Sequence, residues 1–113
     1  MKHSKKDATK LAFRDGWTVW DYVLSNKQIG ITFQEITGRV PESGSGKNTV
    51  CWEAYAVVSG TLTVYVNGEA FVLEKGDVIE VLPGATSYLV TDHAEIITIT
   101  NPDWYESQYE SVS

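Results

Sequence analysis

Four turn signals in the middle of the chain limit it to a fold made of many short strands. Glycines recur about every eight residues, at Gly60, Gly68, Gly76 and Gly84, between segments rich in valine, leucine and tyrosine. Asn67 precedes the second of them, and an Asn-Gly pair is a strong hairpin signal because both residues tolerate a positive φ. Short strands separated by turns at such a spacing are typical of an all-β sandwich or barrel.

The length and the N-terminus indicate one barrel domain preceded by an arm. A chain of 113 residues is long enough for one core and too short for two. The first residues are basic and no apolar run follows them, so we interpret residues 1–14 as a flexible arm and residues 15–113 as the barrel domain. The basic residues of the arm are Lys2, Lys5, Lys6, Lys10 and Arg14.

Charge and cysteine content narrow the classes of function. The formal net charge is -6 at pH 7, and an acidic body repels the phosphates of nucleic acids. No apolar run approaches the roughly 18 residues that a membrane span needs. Cys51 is the only cysteine, so no disulfide can form within the chain. We therefore expect a cytoplasmic protein that binds neither nucleic acid nor membrane.

The segment from residue 29 to residue 37 alternates as a strand does. Ile29, Ile31 and Phe33 share one face, and Glu35 has the same parity. Glu35 therefore points into the barrel with these apolar residues, unless a bulge near Ile36 turns it to solvent. Both interpretations stay open.

The order of these turns, together with the residues around them, resembles the cupin superfamily of small antiparallel β-barrels. Glu53 lies at the start of a strand that ends at Gly60, Gly76 precedes a further strand, and Pro83-Gly84 follows it. The resemblance covers about residues 30 to 102. It implies an all-β fold, a cupin-type double-stranded β-helix (jelly-roll) barrel in a single domain.

The metal ligands of that family are mostly missing from this chain. The family's first motif has histidines at the positions that hold Lys47 and Thr49 here, and a further family histidine corresponds to Ser87. Of these ligand positions only Glu53 keeps a donor that a divalent metal prefers. We therefore expect a protein without a bound metal and without a cofactor.

Glu53 is the first candidate for a catalytic residue. Inside an apolar barrel, burial would raise the pKa of its carboxyl and suit it to general acid or base chemistry. The alternative is a structural carboxylate that is hydrogen-bonded to its neighbours. If Glu35 also points inward, the two carboxylates form a pair able to transfer protons.

Further residues are expected to line the pocket and bind a ligand; they are Lys47, Thr49, Tyr55, Ser87 and Tyr88. Tyr55 shares the face of Glu53 if the strand is unbroken, and it either donates to a ligand or fills the core. Lys47 either pairs with Glu53 and keeps it ionised or lies loose in the loop after Gly46.

Three functions fit these observations. The first is a metal-independent cupin-like protein that binds a small molecule in its barrel. The second is a metal-independent isomerase, epimerase or lyase that acts on a sugar or small acid, with Glu53 as acid or base. The third is a structural dimerisation module. Exposed sheet edges and an excess of aromatic residues also predict a homodimer, with residues 17–24 at its interface.

Overall fold

The computed structural model describes residues 1–113 as a sheet of nine strands. The strands are β1 (Thr9–Arg14), β2 (Trp17–Tyr22), β3 (Gly30–Val40), β4 (Ser45–Asn48), β5 (Trp52–Val66), β6 (Glu69–Glu74), β7 (Val78–Val81), β8 (Thr86–Asn101) and β9 (Tyr109–Val112). Two short 3-10 helices span Lys5–Asp7 and Glu106–Gln108. Neither of them has the length or the apolar character of a membrane-spanning helix.

Two long strands, β5 and β8, hold the barrel together. β8 pairs with β3, β4 and β5, and β5 pairs with β6, β7 and β8, all antiparallel. Their mutual register shifts between Val57 and Ser59 and again between Gly60 and Thr63. Such irregularities bend a strand, so each strand contributes one half to either side of the barrel. The all-β fold expected from the turns is confirmed.

The hairpin between β5 and β6 forms where the sequence predicts it. Asn67 and Gly68 both have positive φ, at 50° and 84°. Asn67 also accepts hydrogen bonds from the backbone and the hydroxyl of Thr86 through Oδ1, at 3.0 and 3.4 Å. The turn is therefore tied to the start of β8 as well as to its own strands.

The inward-facing residues change from apolar to polar along the barrel. Around Ile36, Leu62, Val64 and Ile96, which are fully buried, lies the apolar core. Further along β8 the inward residues become threonines, Thr98 and Thr100. Their partners across the sheet are Tyr55 and Glu53 on β5, and Thr32 and Gly30 on β3. The barrel thus has an apolar end and a polar end, and the polar end contains Glu53.

The prediction of a flexible arm over residues 1–14 is wrong for its second half. β1 pairs with β2 from Thr9 opposite Asp21 to Arg14 opposite Trp17. The guanidinium of Arg14 donates to the backbone carbonyls of Thr37 and Arg39, at 3.2 and 2.6 Å. The basic residues of this segment had suggested solvation, but the hydrogen bonds of the strand and of Arg14 join it to the sheet.

The apolar face of β3 points outward, so the inward interpretation of Glu35 is wrong. Ile36 is fully buried in the core, and the Gln34 amide donates to Thr98 Oγ1 inside the barrel at 3.1 Å. Because successive side chains alternate, Phe33 and Glu35 on either side of Gln34 face outward. No bulge is needed to place Glu35 there, because the register of β3 shifts only beyond Ile36.

This outer face is apolar and only partly covered. Trp20 and Phe33 meet edge to face, with ring centroids 5.9 Å apart. The ammonium of Lys5 lies 4.0 and 4.2 Å from the two ring centroids. Ile97, the partner of Phe33 on β8, is also partly exposed. Partly exposed apolar side chains that adjoin across several strands are typical of an interface.

We propose that a second copy of the chain covers this face. Phe33→Lys puts a charge into the apolar face and is expected to convert a dimer into a monomer of 12.6 kDa, measured by light scattering. The barrel should stay folded because Phe33 lies outside the core.

Val72→Lys is the matched control for this prediction. Val72 is another apolar strand residue, it is 66% exposed, and it lies on β6, away from the proposed interface. A monomeric wild-type protein, or a Val72→Lys variant that dissociates as readily as Phe33→Lys, would contradict the prediction.

Candidate functional site

Glu53 and Tyr55 form a hydrogen-bonded pair on the inner wall of the polar end. They stand two residues apart on β5, so both side chains point inward. The Tyr55 hydroxyl donates to Oε1 of Glu53 at 2.6 Å. Glu53 is 9% exposed and Tyr55 7%. The position that the sequence predicts for both residues agrees with the structure; their chemical roles stay a prediction.

Asn48 fixes the carboxylate from the opposite side. Its amide nitrogen donates to the same Oε1 of Glu53 at 3.2 Å. Its amide oxygen accepts from Trp104 Nε1 at 3.0 Å and from Gln108 Nε2 at 2.8 Å. Since both donors to that oxygen come from the C-terminal segment, Asn48 links the tail of the chain to Glu53.

The second oxygen of Glu53 is left for another partner. Both hydrogen bonds within the chain are made to Oε1, and none is made to Oε2. Oε2 is not among the side-chain atoms that are fully buried without a partner, so it keeps contact with solvent. It is therefore the atom of this site that a bound molecule can reach.

The pKa values of the acidic groups in this cluster are raised. Burial raises the pKa of Glu53, although the hydrogen bonds from Tyr55 and Asn48 oppose the rise. Burial, followed by the adjacent charge of Glu53, raises the pKa of Tyr55 well above its ordinary value. The same two causes, in the same order, raise the pKa of Tyr109. A carboxyl with a raised pKa next to a phenol that holds its proton is suited to proton transfer.

Ser87 and Tyr109 complete the wall around the pair. A hydrogen bond with Ser87 lowers the pKa of Tyr55, against the other causes. Ser87 pairs across the sheet with Gly46, and the ring of Tyr109 lies directly over that glycine. A side chain at position 46 would collide with the ring, so glycine is needed there.

The interior opens to solvent on the side of β2 and β3. Thr98 and Thr100 on β8 are each 4% exposed. Thr32 and Gln34 on β3 and Asp21 on β2 lie on the same inner face but are partly exposed. Solvent therefore reaches the inner face on this side of the barrel.

A separate open groove of about 560 Å³ lies between the β5–β6 turn and the loop after β7, and neither Glu53 nor Tyr55 lines it. Gly84, one of its lining residues, donates its N–H to the backbone oxygen of Asn48 at 2.8 Å. The groove therefore borders the network from outside without opening into it.

Three of the residues predicted to line the pocket lie elsewhere. Lys47 points outward and pairs with Glu110 at 3.3 Å, so it does not reach Glu53. The Thr49 hydroxyl donates to the backbone oxygen of Gln108 at 2.5 Å. Tyr88 lies on the outer face, stacked on Tyr65 with centroids 4.4 Å apart. In each case the residue next to it in the chain faces the site: Asn48 lies beside Lys47 and Thr49, and Ser87 lies beside Tyr88.

Asn48 and Gln108 are site residues that the sequence did not reveal. Asn48 lies between Lys47 and Thr49, the two positions chosen by resemblance, and alternation along β4 makes it the inward one. Gln108 is 3% exposed, and its side-chain oxygen accepts from the backbone N–H groups of Val50 and Cys51, each at 3.1 Å. A glutamine in a polar tail carries no pattern that marks it as buried.

The residues at the family's metal positions do not fit a metal. Lys47 brings a cation that is already paired with Glu110, and Thr49 and Ser87 supply neutral hydroxyls. No group of three or more histidine, cysteine, aspartate or glutamate side chains is arranged to hold a metal ion. Zinc sites need three or four such donors.

Solved structures with a similar fold include several cupins. Pac13 from Streptomyces, described as a nucleoside dehydratase, superposes with a TM-score of 0.87 at 19% identity, over 99% of this chain and 90% of that chain. Structures with uridine exist for variants of that protein in which a tyrosine is replaced by phenylalanine or a histidine by glutamine.

More distant structures agree with this result. Ectoine synthase from P. lautus has a TM-score of 0.75 at 12% identity, over 100% of this chain and 90% of that chain. The cupin domain of Cnp3 from Schizosaccharomyces pombe has a TM-score of 0.69 at 13% identity, over 90% and 74%. No family model matches the sequence, and a comparison with curated protein sequences gives no match. At these identities the likeness shows the fold, and the cupin fold expected from the turns is confirmed.

We predict that the purified protein carries no stoichiometric transition metal. Protein produced in medium supplemented with zinc, iron, nickel and manganese should contain far less than one metal ion per chain after desalting, by elemental analysis. One retained metal per chain, lost in Glu53→Gln, would contradict the prediction.

The raised pKa of Glu53 predicts a specific pH dependence of stability. A carboxyl whose pKa is higher in the folded state contributes stability that is complete below its ordinary value of 4.5 and is lost as pH rises through the folded pKa. Glu53→Gln has no titratable group at this position, so its stability lacks this pH-dependent contribution. The melting temperature of wild type minus that of Glu53→Gln should therefore fall as pH rises from about 4 to about 8.

Thermal unfolding of both proteins across this range measures the difference directly. Asp21, whose pKa burial also raises, is present in both proteins, so its effect cancels. A difference that stays constant over the whole range would show that Glu53 titrates as it does in the unfolded chain.

Proposed function

We propose that the polar end of the barrel binds a small polar molecule and that Glu53 and Tyr55 transfer protons on it, as in a metal-independent lyase or isomerase. The observation that carries this proposal is the 2.6 Å hydrogen bond from Tyr55 to Oε1 of Glu53, beside a second oxygen that has no partner in the chain. One group can accept a proton while the adjacent group donates one.

Elimination of water from a hydroxylated substrate would use both groups. Glu53, as the carboxylate, takes the proton from a carbon next to a carbonyl. Tyr55 gives its proton to the hydroxyl that leaves from the neighbouring carbon, so a carbon–carbon double bond and one water molecule form. The proton on Glu53 then passes to the Tyr55 phenolate through their hydrogen bond, which restores both groups. No other reactant is consumed.

The comparison with Pac13 supports this class of reaction. That protein is described as a nucleoside dehydratase, and dehydration is a lyase reaction of this kind. The present chain has only two histidines, His3 and His93. His93 lies in the exposed bend of β8, with Nδ1 3.1 Å from the Thr37 hydroxyl. His3 lines a small pocket near Tyr22 and Val23 that neither Glu53 nor Tyr55 lines. We therefore assign the base to Glu53.

Binding without turnover is the second candidate. It is favoured by the depth of Glu53, which is 9% exposed, because a deep carboxylate can serve as a hydrogen-bond acceptor without reacting. A filled barrel that serves only dimerisation is the third function considered from the sequence. The cytoplasmic location expected from the single cysteine also stays a prediction.

Two isosteric variants separate these functions. Glu53→Gln and Tyr55→Phe keep the shape of the site and remove its transferable protons. For an enzyme we expect turnover to fall by about 10²–10⁴-fold, with a much smaller change in affinity. A panel of sugars, nucleosides and their aldehydes, followed by NMR for loss of water or isomerisation, would detect the reaction.

Glu69→Gln is the control, because Glu69 is an exposed carboxylate on β6 that makes no hydrogen bond to Glu53 or Tyr55. Loss of affinity in both site variants without any turnover in the wild type would favour the binding protein. Absence of binding to any member of the panel, with both variants changing only the melting temperature, would favour the dimerisation module.

A further inference from the structure

Asp21 shares the inner face of the polar end with Tyr55. Across the sheet Asp21 pairs with Thr32, Thr32 with Thr98, and Thr98 with Tyr55. All four side chains therefore point to the same side of one row. Asp21 is partly exposed and Tyr55 is buried. Asp21 therefore stands at the solvent-facing end of this row, which we call the entrance, and Tyr55 stands at its buried end.

A second carboxylate, Asp103, stands at the same entrance. Its Oδ1 and Thr100 Oγ1 lie 2.7 and 2.5 Å from the position that a Cβ on Gly30 would occupy. Gly30 and Thr100 form the last inward row with Glu53. Position 30 is glycine because the Asp103 backbone and side chain lie directly against it. Asp103 is thus held over the row of Glu53.

The two entrance carboxylates are close enough to affect each other. Burial first, and then the charge of Asp103, raises the pKa of Asp21, while Lys27 opposes the rise. Burial first, and then the charges of Glu53 and Asp103, raise the pKa of Cys51. The charge of Asp103 therefore acts on Asp21 and also on a residue that the charge of Glu53 affects.

Positive charge is scarce in this region. Lys27 acts on Asp21, and its backbone oxygen accepts the N–H of Asp103 at 3.1 Å. Lys47 is on the outside with Glu110, and Arg39 lies over the Tyr88 ring on the outer face, 4.0 Å from its centroid. A phosphate or carboxylate that enters the barrel meets two acids and one lysine.

The two acids adjoin the buried polar residues of the barrel and are not only a cluster of surface charge. Glu53 is only 9% exposed, yet its Oε2 keeps contact with solvent and has no partner within the chain. Thr98, which stands between Tyr55 and Thr32 in the row that leads to Asp21, is 4% exposed. The path from the entrance to this oxygen is therefore lined with polar groups suited to a hydroxylated ligand.

From this arrangement we infer that the site selects uncharged polar ligands, such as a nucleoside or free sugar, and rejects their phosphorylated or carboxylated counterparts, with Asp21 and Asp103 as the specificity-determining residues. The inference rests on the proposed function, because it assumes that the ligand binds at Glu53. Like charges within about 10 Å in a medium of effective dielectric constant ~20 change an affinity by about tenfold or more.

Matched pairs of probes test the inference. Calorimetry or ligand-observed NMR compares uridine with uridine 5′-monophosphate and glucose with glucose 6-phosphate, on the wild type and on Asp21→Asn/Asp103→Asn. We expect the wild type to prefer the uncharged member of a pair by at least about tenfold. The double variant should reduce that preference at least about fivefold by gaining affinity for the phosphorylated member.

The control variant, Glu69→Gln/Asp92→Asn, changes the net charge of the chain by the same amount at two exposed positions outside the polar end. It should leave the preference unchanged. Equal or tighter binding of the phosphorylated member by the wild type overturns the inference, as does a double variant with an unaltered preference, and either result leaves the proposed function standing. If none of the four probes binds, the proposed function and the inference fall together.

Discussion

One buried carboxylate sets the requirements that the rest of the polar end meets. Moving an ionised carboxylate out of water costs several kcal/mol unless hydrogen bonds and nearby groups offset the cost. Glu53 receives two donors at Oε1, from Tyr55 and Asn48. Asn48 can donate in that direction only because Trp104 and Gln108 hold its oxygen from the other side. Gln108 is itself fixed by the backbone between β4 and β5.

At the polar end, β3 reverses the usual rule that the apolar face of a strand points inward. In β3 the alternation is clear, yet its threonine and glutamine face the interior and its phenylalanine faces outward. This arrangement follows from a polar inner face at one end of the barrel and an apolar outer face that adjoins across β2, β3 and β8. A two-sided strand of this kind carries the same alternation in either orientation, so periodicity shows that the strand exists and not which face is inside.

The fold could be predicted from the sequence much better than the site. Turns depend on local chemistry, such as Asn67-Gly68, and local chemistry is visible in one sequence. The site depends on strand phase, and a shift of one residue turns a side chain to the other face. Ser87 and Tyr88 were both placed in the pocket, although adjacent residues of one strand cannot both face inward. Glu53 and Tyr55 were placed correctly because they are two residues apart on an unbroken part of β5.

The contribution of the C-terminal segment to the site has a consequence for local unfolding. Trp104 and Gln108 hold the amide oxygen of Asn48, and β9 pairs with β4 along Ser45 to Asn48. A segment of this kind can open without the rest of the fold. When it opens, Asn48 loses both donors that orient its amide towards Glu53. Detachment of β9 and release of one of the two donors to the carboxylate are therefore one event, and hydrogen exchange in β9 reports on the order of the site.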